Sequence, residues 1–328
     1  MNVIMIVPTG IGAEIGGHAG DANPAAKLLG AVSDLLIVHP NVVNASDINE
    51  MPANALYVDG YMLDGFIAGE IDLKPGYNRK ILVAVNHPVT NQTVNAVSAA
   101  RATIGADYEI IELNTPLRMI AEYDDDGSAT GDVSGWEELV DQVRDLDFDA
   151  LAIATQIEID KSVAMKYLSD GGVNPWGGVE AKASRLISAE IPKPVAHAPI
   201  ETGTLGDYRE IVDPRVAAEI VSECYIHCLL KGLHRAPQIG PGLSNSDIDF
   251  LVSPDGCWGF PHRNALAAGI EVIMVKENKT IYDERHSFTT VAENYLEAAG
   301  IIAARNAGIM PSSVRRPLPK TTIHFNND

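Results

Sequence analysis

Ile248-Asp-Phe-Leu-Val-Ser-Pro-Asp-Gly-Cys-Trp-Gly-Phe-Pro-His-Arg-Asn264 reads as a strand that breaks into a Gly/Pro loop and then starts a helix. Its apolar run has strand length and little alternation, the pattern of a strand covered on both faces. Such strands belong to parallel sheets flanked by helices. The break also matters for chemistry, because ligands of open α/β sheets bind beyond the carboxyl ends of the strands. Cys257, His262 and Arg263 sit at this break.

The same rhythm repeats outward from that stretch. Residues 2–8, 34–39, 79–87, 108–113, 149–155, 193–199 and 270–275 read as further strands, and 24–31, 93–105, 136–146, 179–189, 214–230 and 291–307 as helices. The alternation predicts an α/β fold of mostly parallel sheets with helices on both faces. At 328 residues the chain is about twice a typical domain, so two lobes around a central cleft are expected. The division is placed after residue 78: an N-terminal lobe over 1–78 with a Gly-rich loop, and a second lobe over 79–328 with the Cys/His cluster.

A formal net charge of −20 disfavours nucleic acid and anionic membrane surfaces as partners, since both are met with clustered Lys and Arg. No apolar stretch is long enough to span a bilayer. The N-terminal Met-Asn-Val-Ile-Met-Ile-Val-Pro lacks the basic region and cleavage site of a signal peptide, which leads to a cytoplasmic expectation. The expected partner is a small-molecule substrate, and a homo-oligomer is compatible with the sequence.

Candidate substrate-binding residues lie at predicted strand ends. Gly10, Gly12, Gly16 and Gly17 follow the first strand, where glycines let backbone approach a ligand or pack closely on a neighbour. The spacing is neither G-x-G-x-x-G nor a P-loop, which disfavours a nucleotide. Asn41, Asn44 and Asp47 follow the second strand and Asn86 the next; Arg118 is a candidate carboxylate clamp. Asn174 and Glu180 belong to a second glycine-rich loop, and Arg263 to the opening stretch. Each Asn or Asp is also an ordinary turn former.

The three cysteines all fall within 224–257, too few for a disulfide framework. One reading makes Cys257 a thiolate nucleophile at a helix N-terminus beside His262 and Arg263, with Cys224, His227 and Cys228 on one helical face as its partners. That suits a hydrolase of C–N bonds, or an isomerase. A second reading joins Cys224, Cys228 and Cys257 as ligands of an iron–sulfur cluster or zinc in a lyase. A third is a non-catalytic ligand-binding protein with buried structural thiols. No cofactor is favoured.

The segments Gly10-Ile-Gly-Ala-Glu-Ile-Gly-Gly-His-Ala-Gly-Asp21, His39-Pro-Asn-Val-Val-Asn-Ala-Ser-Asp47, Asn174-Pro-Trp-Gly-Gly-Val-Glu180, Cys228-Leu-Leu-Lys-Gly-Leu-His-Arg235 and Cys257-Trp-Gly resemble a domain-of-unknown-function family of bacteria and photosynthetic organisms. The resemblance covers nearly the whole chain. It implies a single module and transfers no activity.

Overall fold

A computed structural model describes residues 1–18, 20–43, 51–199, 211–215, 217 and 225–324. The chain opens on β1 (Asn2–Met5), α1 (Asn23–Ala31), β2 (Leu35–Val38), the short α2 (Pro40–Val43), β3 (Ala55–Tyr57) and α3 (Gly60–Ala68). After β4 (Leu73–Lys74) come β5 (Lys80–Asn86), α4 (Asn91–Thr103), β6 (Asp107–Leu113), β7 (Arg118–Tyr123), β8 (Ala129–Ser134) and α5 (Trp136–Val143). Then follow β9 (Ala150–Thr155), β10 (Ile157–Glu158), α6 (Lys161–Asp170), α7 (Gly177–Glu190) and β11 (Val195–Pro199). The last third holds α8 (Tyr225–His234), β12 (Gln238–Ile239), β13 (Phe250–Pro254), α9 (Phe260–Ala267), β14 (Glu271–Val275), β15 (Thr290–Ala292) and α10 (Tyr295–Asn306).

Two parallel sheets carry the fold, as expected for an α/β chain. The first runs β15-β14-β13-β1-β2-β3 and the second β11-β9-β5-β6. In the first, Ile4, Ile37 and Leu251 face Met62, Phe66 and Ile67 of α3 and Ala265 of α9. The opposite face puts Val3, Met5 and Leu36 against α1 and α10. The second sheet is likewise covered twice, by Leu139, Val179 and Ile187 from α5 and α7 on one side and by Val97, Leu229 and Leu230 from α4 and α8 on the other. Every residue of β9 is buried, which explains its unbroken apolar reading.

Residue 78 stands just before β5, the first strand of the second sheet, and the two sheets are not sequential in the chain. Val3 pairs with Phe250, so the chain leaves the first sheet after β3 and returns to it at β13. The two crossings run side by side, with β4 antiparallel to β12. Asn78 ties them together. Its buried carboxamide donates to Leu233 O at 2.7 Å and Ala236 O at 3.0 Å and accepts from Gln238 Nε2 at 2.6 Å. Arg235 adds a second tie, its Nη2 donating to the carbonyls of Pro52, Ala53 and Ala55 at 2.8–2.9 Å.

Between the sheets, α8 approaches so closely that a Cβ on Gly232 would stand 2.7 Å from the ring of Tyr57, the last residue of β3. A Cβ on Gly178, at the start of α7, would stand 2.0 Å from the backbone oxygen of Ala129 in β8. Gly232→Ala and Gly178→Ala are therefore each expected to lower stability by about 1–3 kcal/mol through overpacking. Equilibrium denaturation with urea measures both; a midpoint equal to that of the parent chain would show that the contacts relax freely.

Candidate functional site

A cavity of about 640 Å³ opens where the two sheets meet. From the first sheet it takes the residues that follow three strands: Pro8 and Thr9 after β1, His39 and Asn41 after β2, and Asp59 after β3. These are carboxyl ends of parallel strands, the edge that binds ligands in open α/β sheets. The second sheet contributes β11 and the first turns of α7, and α8 closes the back with Tyr225 and Cys228. Most of the wall is apolar or aromatic, with a few polar groups converging on it, as in sites for small molecules.

The best-built polar feature runs from the cleft into the core. The Glu180 carboxylate, on α7, stands 2.8 Å from Nδ1 of His197 on β11. On its other side the ring reaches Thr155 of β9, with Nε2 at 3.1 Å from Oγ1 and 3.2 Å from the carbonyl oxygen. The His197 side chain is 1% exposed and that of Glu180 27%. A buried, doubly bonded imidazole thus fixes a carboxylate that the cleft can still reach.

Asp59 supplies a second carboxyl. It caps α3, accepting from Met62 N at 2.9 Å, and burial raises its pKa to about 6. Farther out, Arg185 of α7 meets Asp64 of α3 at 2.7 Å, an ion pair between the two lobes. Lys182 is held by Gly131 O at 2.6 Å.

Of the residues singled out in the sequence, Asn41, Asn174, Glu180 and Cys228 line the cleft. Asn41 does so while donating to Val7 O at 3.0 Å and Gly16 O at 2.6 Å. Asn174 makes a turn into α7, accepting from Trp176 N at 3.0 Å. Asn44, Asp47 and Cys224 lie outside the described residues. The others stand elsewhere. Asn86 exchanges hydrogen bonds with the backbone of Leu117. Arg118 is a clamp, but for Glu158, at 2.9 Å through two nitrogens. His227 meets Thr103 of α4 at 3.0 Å, and Arg263 is solvent-exposed.

The nucleophile expected at Cys257 meets a different environment. Its thiol is buried, donates to Pro254 O at 3.1 Å and touches Ser253 Oγ at 3.3 Å. Burial pushes it up to about 11, the opposite of thiolate activation. His262 bonds Ser253 Oγ at 2.9 Å through Nε2 and accepts from Gly259 N at 3.1 Å through Nδ1. Burial depresses this imidazole to about 4, so it is a neutral structural strut. Among the described residues no group of three or more His, Cys, Asp or Glu side chains is arranged to hold a metal; Cys224, one of the three proposed cysteine ligands, lies outside them.

The residues the sequence reading missed are Asp59, Asp64, Lys182 and Arg185. A strand end followed by Asp59-Gly60 carries the signal of a helix cap, which could have found the first. The pairing of Asp64 with Arg185 joins residues 121 apart and leaves no local trace.

The glycine loop also differs from a ligand cradle. Two of its amides are spent on the protein itself: Gly16 N donates to Asp21 Oδ1 at 2.6 Å, and Ile15 N to Asn278 Oδ1 at 2.9 Å. Gly16, at φ +86°, packs so that a Cβ would stand 2.9 Å from Val7, and Gly10 and Gly12 abut Ala129 and Val173. A Cβ on Gly17 would overlap Ala13 O at 2.0 Å. Burial lifts Asp21 to about 7. The folded chain thus binds this proton more tightly than the unfolded chain, so the contribution is complete below pH 4 and lost as pH rises through about 7. Asp21→Asn keeps the acceptor for Gly16 and removes the titration. Relative to the parent it should gain thermal stability on going from pH 5 to pH 8, and a Tm difference that stays constant between those buffers would refute the assignment.

Comparison with known proteins extends these observations. A family model described as "Protein of unknown function (DUF3326)" matches residues 2–315. The chain is similar to an uncharacterised lipoprotein of Synechococcus sp., at 33% identity over 333 residues, spanning 95% of this chain and 92% of that protein. No solved structure matches. The relative's name overturns the cytoplasmic expectation, since a lipoprotein is held at a membrane by its lipid. No helix among the described residues is long and apolar enough to cross one. The family resemblance carried by the glycine loops and the Cys-Trp-Gly segment is borne out: the chain belongs to the DUF3326 family of proteins of unknown function.

Proposed function

We propose that this chain is an enzyme of small-molecule metabolism that moves protons on a carboxylate- or amide-bearing substrate in the interlobe cleft, as an isomerase or hydrolase. Glu180 is the acid–base group in this reading, and His197 is the positioning residue behind it. The observation that carries it is the Glu180–His197–Thr155 chain: a half-buried carboxylate in the cleft, fixed by a ring that is itself fixed by the sheet. A base held by a third group is the recurring arrangement of acid–base sites. Asp59, lifted to about 6, gives the same cleft a carboxyl that exchanges protons near neutral pH. The cysteine-dependent version is set aside because Cys257 is buried and does not line the cleft.

Turnover is sought by NMR, as hydrogen–deuterium exchange beside a carbonyl or as release of ammonia, over a panel of small carboxylates and carboxamides. Glu180→Gln should lower the rate about 100-fold or more with the fold intact, as expected for loss of a positioned base. Cys257→Ala should leave it unchanged. Binding by the panel without turnover of any member would make the cleft a ligand-binding site only.

A further inference from the structure

His39 follows β2 and lines the cleft. Its Nε2 lies 2.9 Å from the backbone nitrogen of Val7, just beyond β1. A backbone N–H can only donate, so Nε2 must be the acceptor. The single hydrogen of the neutral ring is thereby fixed on Nδ1. Among the described residues Nδ1 takes no partner. Protonating Nε2 would set two hydrogens against each other across that contact, and burial independently depresses the imidazole to about 4. The ring therefore carries an uncharged donor at a residue that lines the cleft.

We infer that the cleft selects ligands with a carbonyl-type oxygen, as in 2-oxo acids and carboxamides, and that this oxygen accepts a hydrogen bond from Nδ1–H of His39. The inference rests on the acid–base reading of Glu180 and deepens it. Glu180 takes a proton from the carbon beside the carbonyl. The C–H electron pair moves into the carbon–carbon bond, and the carbonyl π pair moves onto oxygen. The enolate oxygen is stabilised by the hydrogen bond from His39, and the proton returns from Glu180 to carbon. A neutral imidazole suits this task because it polarises the oxygen without surrendering a proton. Tyr61, Trp176 and Tyr225 also line the cavity, so the probes should carry a ring.

The test uses the full chain labelled with ¹⁵N-histidine, with His39 assigned by its loss in His39→Gln. Long-range ¹H–¹⁵N spectra should show the Nδ1–H form of His39 from pH 5 to pH 8. Phenylpyruvate and 2-phenylacetamide should shift that signal, and 2-phenylethylamine, which lacks the oxygen, should not. His39→Phe should weaken binding of the two oxygen-bearing probes about tenfold, the scale of one neutral hydrogen bond. An Nε2–H form, a signal unmoved by all three probes, or failure of all three to bind overturns the inference. Exchange of the phenylpyruvate methylene protons separates the two proposals. If the His39 signal moves but Glu180→Gln exchanges normally, the donor stands and the acid–base reading falls. If Glu180→Gln abolishes exchange while the His39 signal stays still, the reading stands and the donor falls.

Discussion

The buried carboxamide of Asn78 is the contact on which the arrangement of this molecule depends. The chain passes from the first sheet to the second and back, and its two crossings must run together if the sheets are to face one cleft. Asn78 satisfies two carbonyls at the end of α8 and the side chain of Gln238. A buried polar group left without such partners costs roughly 1–3 kcal/mol, so the network specifies one mutual setting of the crossings. Arg235 repeats the principle with three carbonyls. The cleft inherits its walls from this setting: strand ends from one sheet, and helix and strand surface from the other.

Much of the architecture was legible because parallel strands covered on both faces are apolar throughout. The runs at 2–8, 79–87, 149–155 and 248–254 needed no partner to be recognised. The hairpin of β7 and β8 was not, since half of its residues face water and its turn carries three successive aspartates, Asp124-Asp-Asp126. The return of β13 to β1 was also hidden. Pairing partners 247 residues apart leave no local signal, so the order in which the chain visits its two sheets could not be read from the sequence.

The site was legible in part, for a similar reason. Strand ends and glycine-rich loops could be located, and the residues read there include Asn41, Asn174 and Glu180, which line the cleft. Chemistry inferred from residue type alone went astray. A cysteine beside a histidine and an arginine reads as an activated thiol, but activation requires charge stabilisation of the thiolate. Here Cys257 faces a backbone carbonyl and a serine, Arg263 turns to solvent, and His262 is neutral. Glycines misled in the same way. Their spacing signalled close approach, and the surface approached is the protein's own backbone at Ala129 and Ala13.

The pairing of β1 with β13 bears on how the chain is made. On the ribosome the second sheet, residues 80–199, is complete before the first can close. Until residue 250 has emerged, β1 holds only β2 and keeps its other edge unpaired. An exposed parallel strand edge is an aggregation hazard during folding. The middle of the chain can therefore complete its sheet before the two ends of the chain are brought together in the first.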